Sequence, residues 1–307
     1  MNQESIPQAD HPSVLEPWLR LVRLPAVFTA MADVFAGFLL THSSFAPIAD
    51  FVWLLVASSC LYLCGMAFND VFDRRVDIEQ RPHRPIPSGQ VSLRGAVILG
   101  IVLAVAGNAA TLMVGGHSTQ FALFLTIAIF AYDALLKKTP LGPVAMGACR
   151  FFNVMLGASM TAPHNLWHRP HIQVAAGLGI YVIGLTWFAR RETGTSSRGQ
   201  LIAASFVVNL GLGALAQLIV NWPGAVPINQ VLFVFCVITL VINRRLASAI
   251  MNPEPTVVGS AIKTMLLSVV LLDATMVFFK SGNSLYALAT AALLIPSFAL
   301  ARWIDVT

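Results

Sequence analysis

The 307-residue chain is 57% hydrophobic and only 11% charged, with a mean hydropathy of +0.75, whereas soluble domains are roughly a quarter charged. That composition excludes a water-soluble globular fold, and the clean period-2 alternation of a membrane barrel is absent, which leaves an all-α, polytopic integral membrane protein. The net charge of +5 is spread over short loops rather than gathered into a tail or stripe, so it reads as membrane orientation and not as nucleic-acid binding.

In chain order, residues 1–15 carry acids and prolines but no Lys or Arg. They fit neither a secretory leader nor an organelle transit peptide and read as a short disordered cytoplasmic tail ahead of a single domain over 16–304. Stretches near twenty residues with few charges fall at about 24–41, 49–68, 92–115, 119–136, 141–161, 171–189, 199–221, 228–243, 258–279 and 284–301, which predicts nine to ten transmembrane helices, one of the ten being a candidate for an interfacial position. With ten spans, Arg20, Arg23, Arg74, Arg75, Arg81, Arg84, Arg94, Lys137, Lys138, Arg190, Arg191, Arg198, Arg244, Arg245 and Arg302 all fall on one side. The positive-inside rule makes that side cytoplasmic, with both termini, in a multi-pass protein expected in a bacterial plasma membrane. Cys60, Cys64, Cys149 and Cys236 lie inside apolar spans with no CxxC spacing and read as packing residues.

The second span ends in Asn69-Asp70-Val71-Phe72-Asp73-Arg74-Arg75-Val76-Asp77. Its acids stand at i, i+3 and i+7. At about 100° per residue they share one helical face over about 10 Å of rise, an arrangement of hard oxygens that suits a divalent cation bridging to substrate phosphates, with Asn69 adding an amide oxygen. The bland alternative is a solvated helix end whose acids are neutralised by Arg74 and Arg75.

This run, followed in register by Arg81-Pro82-His83-Arg84-Pro85-Ile86-Pro87-Ser88-Gly89, resembles the signature NDxxDxxxD and RPxRPxxSG segments of the UbiA-type intramembrane prenyltransferases. The resemblance implies helices around a central cavity and Mg²⁺-dependent transfer of a prenyl group from a prenyl diphosphate to an unidentified hydrophobic acceptor, aromatic or lipid, in contact with membrane lipid. It maps metal binding and catalysis to Asp70, Asp73 and Asp77, with Asn69 as a further ligand, and diphosphate contacts to Arg81 and Arg84. The family's second acidic motif falls near Thr186–Thr193, where the sole acid is Glu192. Either Glu192 supplies the second metal contact with Arg190 and Arg191 clamping diphosphate, or diphosphate chemistry is weakened or lost. Tyr132 and Lys137 match the family's tyrosine and lysine segment, Tyr132 facing a carbocation and Lys137 a phosphate, against an interfacial anchor pair as the plain reading.

Ionisable residues inside apolar spans face a cavity or one another. Asp133 and Arg150 are expected to pair, with Arg150 and Asn153, three apart, as alternative contacts for an acceptor carboxylate or the diphosphate. Asp33 and Asp273 are further intramembrane acids, serving a helix contact or an acceptor pocket. His164, His168 and His171 sit on the opposite side without a carboxylate companion, and Pro170 interrupts their spacing, which argues against a metal site. Two readings stand beside prenyl transfer: a non-catalytic prenyl-diphosphate binder or carrier, and an intramembrane prenyl-chain cyclase.

Overall fold

The computed structural model describes residues 15–167, 170–191 and 197–304; the expected N-terminal tail thus lies outside the described residues except for Leu15. Those residues form helices joined by short turns: α1 (Glu16–Leu21), α2 (Val27–Thr41), α3 (Ile48–Gln80), α4 (Leu93–Leu112), α5 (His117–Phe130), α6 (Gly142–Gly157), α7 (His171–Phe188), α8 (Arg198–Asn221), α9 (Ile228–Met251), α10 (Pro255–Ser281), α11 (Ser284–Ala291) and α12 (Leu294–Ala301). Nine helical stretches among them are long and apolar enough to cross a membrane, and the protein is a multi-pass membrane protein.

The remaining expected span is α6, whose 16 residues rise only about 24 Å against a hydrocarbon core of about 30 Å. It still runs from one end of the bundle to the other. Its start follows the Lys137 turn, and just beyond its far end Ser159 Oγ lies 2.8 Å from Ser118 Oγ near the start of α5. Ten antiparallel legs result among the described residues. The last returns α12 to pack against the 3₁₀ turn Leu24–Ala26 that precedes α2, so the first and last described residues lie at the same end.

Two boundaries differ from the sequence reading for identifiable reasons. The expected span over 49–68 ends where charges begin, but the helix does not: α3 continues without a break through the acidic motif to Gln80, because no helix-breaking residue occurs before Pro82. The acidic motif therefore sits on the helix, as its i, i+3, i+7 spacing predicts, and what differs is only where the helix ends. The final stretch is broken at Ala292–Leu293 into α11 and α12; Pro296 cannot donate to the Ala292 carbonyl, and its ring crowds it.

The interior is apolar, built from Phe38, Leu61, Tyr181, Leu215, Met265 and their neighbours. Apolar side chains in lipid gain little from avoiding water, so close packing matters more, and small residues permit it. The crossing of α2 with α6 is the tightest case. A Cβ on Gly157 would stand 2.7 Å from the Val34 carbonyl oxygen, and one on Gly37 would strike the Val154 carbonyl oxygen. Gly37→Leu should therefore lower the thermal midpoint in detergent, by about 1–3 kcal/mol of stability or more. Gly199→Ala, where nothing lies within 4 Å, should leave the midpoint unchanged or raised; equal midpoints for the two variants would refute the packing argument.

Candidate active site

The C-terminal end of α3 gathers charges from four separate parts of the chain. Asp70 and Asp77 are buried, and Asp73 is nearly so. The Pro-rich segment after α3 curls back on itself. Arg84 N donates to the Arg81 carbonyl at 3.1 Å, Ser88 N to the Arg84 carbonyl at 3.0 Å, and Val91 N to the Pro85 carbonyl at 2.9 Å. Pro82, Pro85 and Pro87 restrict the backbone, and Gly89 adopts φ 76°, a conformation open to glycine at little cost. Ile86 and Val91 then anchor the loop on Leu21 and Ala96. This folding aims Arg84 at the acidic row: Nη1 donates to Asp77 Oδ2 at 2.8 Å and to Asp70 Oδ1 at 3.2 Å. Arg81 Nη1 lies 3.7 Å from Asp77 Oδ1.

A second cation comes from before α2. Arg23 Nη2 donates to Asp70 Oδ1 at 3.2 Å. Arg23 has φ 48° and ψ 50°, a left-handed conformation that costs a non-glycine residue of the order of 1 kcal/mol and is held here by the turn through Pro25. A third comes from the end of α5, which passes into a π-helical turn over Ala131–Leu136 closed by Lys137 N donating to the Tyr132 carbonyl at 2.9 Å. Such a turn inserts one residue into the helical register, and from it Lys137 Nζ donates to Asn69 Oδ1 at 2.7 Å and to Asp73 Oδ2. Tyr132 is half-buried beside it.

The structure thus unites Asn69, Asp70, Asp73, Asp77, Arg81, Arg84 and Lys137, and adds Arg23, which the sequence marked only as a topological charge. The counterions recorded for the acids among the described residues are Arg23, Arg81, Arg84 and Lys137, not the adjacent Arg74 and Arg75. Arg190 is turned elsewhere: Nη2 donates to the carbonyls of Thr139 at 2.8 Å and Lys138 at 3.4 Å, fixing the turn that carries Lys137. Glu192, and with it the expected second metal contact, lies outside the described residues, as does the side chain of Arg191.

The expected Asp133–Arg150 pair is not formed. Asp133 feels Lys137, Asp73, Arg23 and Asp70, whereas Arg150 points from α6 to α2, where Nη1 donates to Asp33 Oδ2 at 2.6 Å and to the Thr29 carbonyl at 3.0 Å. Asn153 joins it, donating from Nδ2 to Asp33 Oδ2 at 2.7 Å and to the Ala30 carbonyl at 2.9 Å. Ser58 on α3 donates to Asn153 Oδ1 at 2.7 Å. On the opposite side His171 Nε2 lies 2.7 Å from the Leu166 carbonyl, and His168 lies outside the described residues.

No three His, Cys, Asp or Glu side chains converge as a cage among the described residues. Mg²⁺ does not require one, since it ordinarily takes one or two carboxylates and completes its shell with phosphate and water. The donors at α3 are hard oxygens, and Asp77 Oδ1 is buried without a hydrogen bond, so the residues fit such an ion.

A family model described as the UbiA prenyltransferase family matches residues 30–305. The digeranylgeranylglyceryl phosphate synthase of Saccharolobus solfataricus is 30% identical over 125 residues, 41% of this chain and 44% of that protein. The enzyme of the same name from Methanothrix thermoacetophila is 33% identical over 116 residues, 37% of this chain and 43% of that protein. The matched region thus spans less than half the length of these relatives. Among solved structures, a UbiA homologue from Aeropyrum pernix superposes with a TM-score of 0.67 at 16% identity, covering 81% of this chain and 96% of that one. A homologue from Archaeoglobus fulgidus bound to GPP and Mg²⁺ superposes with a TM-score of 0.63 at 14% identity, covering 90% and 99%. At those identities the likeness is one of fold.

Removing one partner from a buried ion cluster leaves charge uncompensated, at a cost of about 3–5 kcal/mol. Arg84→Ala should therefore lower the thermal midpoint of the detergent-solubilised protein, and adding Asp77→Asn to it should recover part of the loss. A double variant no more stable than the single one would show that Arg84 does not act through Asp77.

Proposed function

This chain belongs to the UbiA prenyltransferase family, and from that premise we propose that it transfers a prenyl group, within the membrane, from a prenyl diphosphate to a hydrophobic acceptor. The observation that carries the proposal is the convergence of Arg23, Arg84 and Lys137, from three different elements, on the carboxylate row of α3. Long cationic side chains held on carboxylates at a helix end are placed to engage diphosphate oxygens, Arg through paired donors and Lys as a point charge. Asp70, Asp73 and Asp77, with Asn69, would hold Mg²⁺. Bound there, the ion supplies Lewis-acid neutralisation of the charge that builds on departing diphosphate.

The remaining roles fall to the chain itself. Lys137 is fixed by Asn69 and Asp73 beside the expected seat of the diphosphate, and Arg190 holds its turn. Arg84 orients Asp70 and Asp77, and Arg23 donates a further hydrogen bond to Asp70. Tyr132, on the π turn next to Lys137, offers a ring face to an allylic cation. Apolar helices exclude water, which would otherwise capture that cation. Glu192 and Arg191 stand as candidates for second metal and substrate contacts, whereas Arg150 and Asn153 are already committed to Asp33. The crowded positive end is taken as cytoplasmic, in a bacterial plasma membrane. The name shared by the relatives makes a glyceryl phosphate lipid the first acceptor to test, ahead of aromatic ones.

The test is diphosphate release from a panel of prenyl diphosphates by protein in detergent, with membrane extract as acceptor source, with and without Mg²⁺. Release should require the metal. Asp70→Ala and Asp73→Ala should each reduce it by at least 10²-fold, the scale of losing one element of electrostatic stabilisation, while the fold persists by circular dichroism. Full activity in both variants would refute the site. Metal-dependent binding of the panel without release, across lipid and aromatic acceptors, would instead establish a binder or carrier.

A further inference from the structure

Below the acidic helix end a second charged layer is sealed inside the bundle. Asp33 on α2 and Asp273 on α10 are each 0% exposed, and their carboxyl groups lie within hydrogen-bonding range of each other. Asp33 Oδ2 is well supplied, accepting from Arg150 Nη1 and Asn153 Nδ2. The other three oxygens are not. Asp33 Oδ1 and both oxygens of Asp273 are buried with no donor among the described side chains and backbone groups.

The groups that face the pair are few. From α6 come Arg150 and Asn153, and among the described residues Arg150 is the cation acting on both acids. On α3, Ser58 is committed to Asn153 and the Ala30 carbonyl, and Tyr62 lies near Arg150 rather than the acids. On α7, the Tyr181 hydroxyl donates to the Met265 carbonyl at 2.9 Å. Two ionised carboxylates against one guanidinium would leave a surplus negative charge in hydrocarbon, with like charges touching. Each uncompensated buried ion costs several kcal/mol. One proton removes both faults, because it cancels the surplus charge and provides the missing donor between the two carboxyls.

We propose that Asp33 and Asp273 form an intramembrane one-proton site, a carboxylic acid and carboxylate that join α2 to α10 and, with Arg150 of α6, make the bundle interior electroneutral. A metal cation is the rival occupant. It is disfavoured because Asp33 Oδ2 is already shared by two donors and no third acid, Cys or His converges among the described residues. Two consequences follow. Arg150 carries no spare positive charge, so an acceptor reaching this layer gains nothing from bearing a carboxylate. The three helices are also tied at one depth by short, directional bonds rather than by packing alone.

The site is read by infrared spectroscopy of the full-length protein in nanodiscs at pH 7. The wild type should show the carbonyl stretch of a protonated carboxylic acid, shifted down on exchange into D₂O. Asp273→Asn should lose that band, Asp133→Asn should keep it, and the thermal midpoint should be the same in sodium and choline chloride. If Asp273→Asn does not fold, Asp33→Asn serves, because Asp273 then becomes the ionised partner of Arg150 and the band is again lost. Absence of the band in the wild type, or its survival in both Asn variants, overturns the proposal, and a sodium-dependent rise of the midpoint without the band assigns the site to a metal cation. None of these readouts involves prenyl transfer, so this inference and the proposed function stand or fall separately.

Discussion

A carboxylate inside a membrane bundle must be matched by a cation, a donor or a proton, and that requirement organises this molecule. The chain places Asp70, Asp73 and Asp77 on one long helix, and no regular packing of apolar residues could balance them. Balance comes instead from Arg23, which precedes α2, from Arg84 on the Pro-rich loop and from Lys137 on the π turn of α5. Each of those segments departs from regular structure at the point where it delivers its cation: a left-handed residue, a loop rich in proline and a π turn. Irregularity of this kind persists where surrounding contacts over-determine it.

Buried ion pairs add little net stability relative to apolar packing, yet losing one partner is expensive. The cluster at α3 is therefore poor as a source of stability and good as a source of position. It fixes the relative placement of α2, α3, α5 and the loop before α4, and it keeps the acids close to cations that can transfer to an anionic ligand. On the proposed reaction, binding a metal and a diphosphate together is an exchange of partners in which the total charge stays matched. The interior layer of Asp33, Asp273 and Arg150 answers the same requirement differently, with short side chains and a proton.

The sequence makes the spans legible because hydrocarbon selects composition directly: every expected span coincides with a helix or a helix pair. It makes the acidic row legible because i, i+3 and i+7 on one helix is a local pattern. The counterions are not local. Arg23 is 47 residues from Asp70 and Lys137 is 64 from Asp73, and a lone arginine before a Leu-Pro pair resembles any membrane anchor. Assigning Arg150 to Asp133, the nearer acid in the chain, fails for the same reason. α6 presents Arg150 to α2, while Asp133 sits on the π turn, which no hydropathy pattern reveals. Charge marks where hydrocarbon ends, not where a helix does, and the continuation of α3 past residue 68 is read from the spacing of its acids instead.

The two layers also differ in access, and this decides where partner exchange can begin. Asp33 and Asp273 have no exposure at all, so nothing larger than a proton reaches them without parting α2 from α10. At the end of α3, Asp70 and Asp77 are 4% and 1% exposed, but Asp73 and Lys137 keep 14% and 17%. Exchanging a cation requires access to both members of a pair; Arg23 and Arg81 are 28% and 39% exposed but their acids Asp70 and Asp77 are covered, whereas in the Asp73–Lys137 pair acid and cation are both partly exposed. Lys137 is also a flexible, compact charge, whereas Arg84 is clamped between two acids and anchored by its loop. Arrival of an anionic ligand should thus loosen the row from Asp73 outward, with the Arg84 clamp holding the helix end in register while it does so.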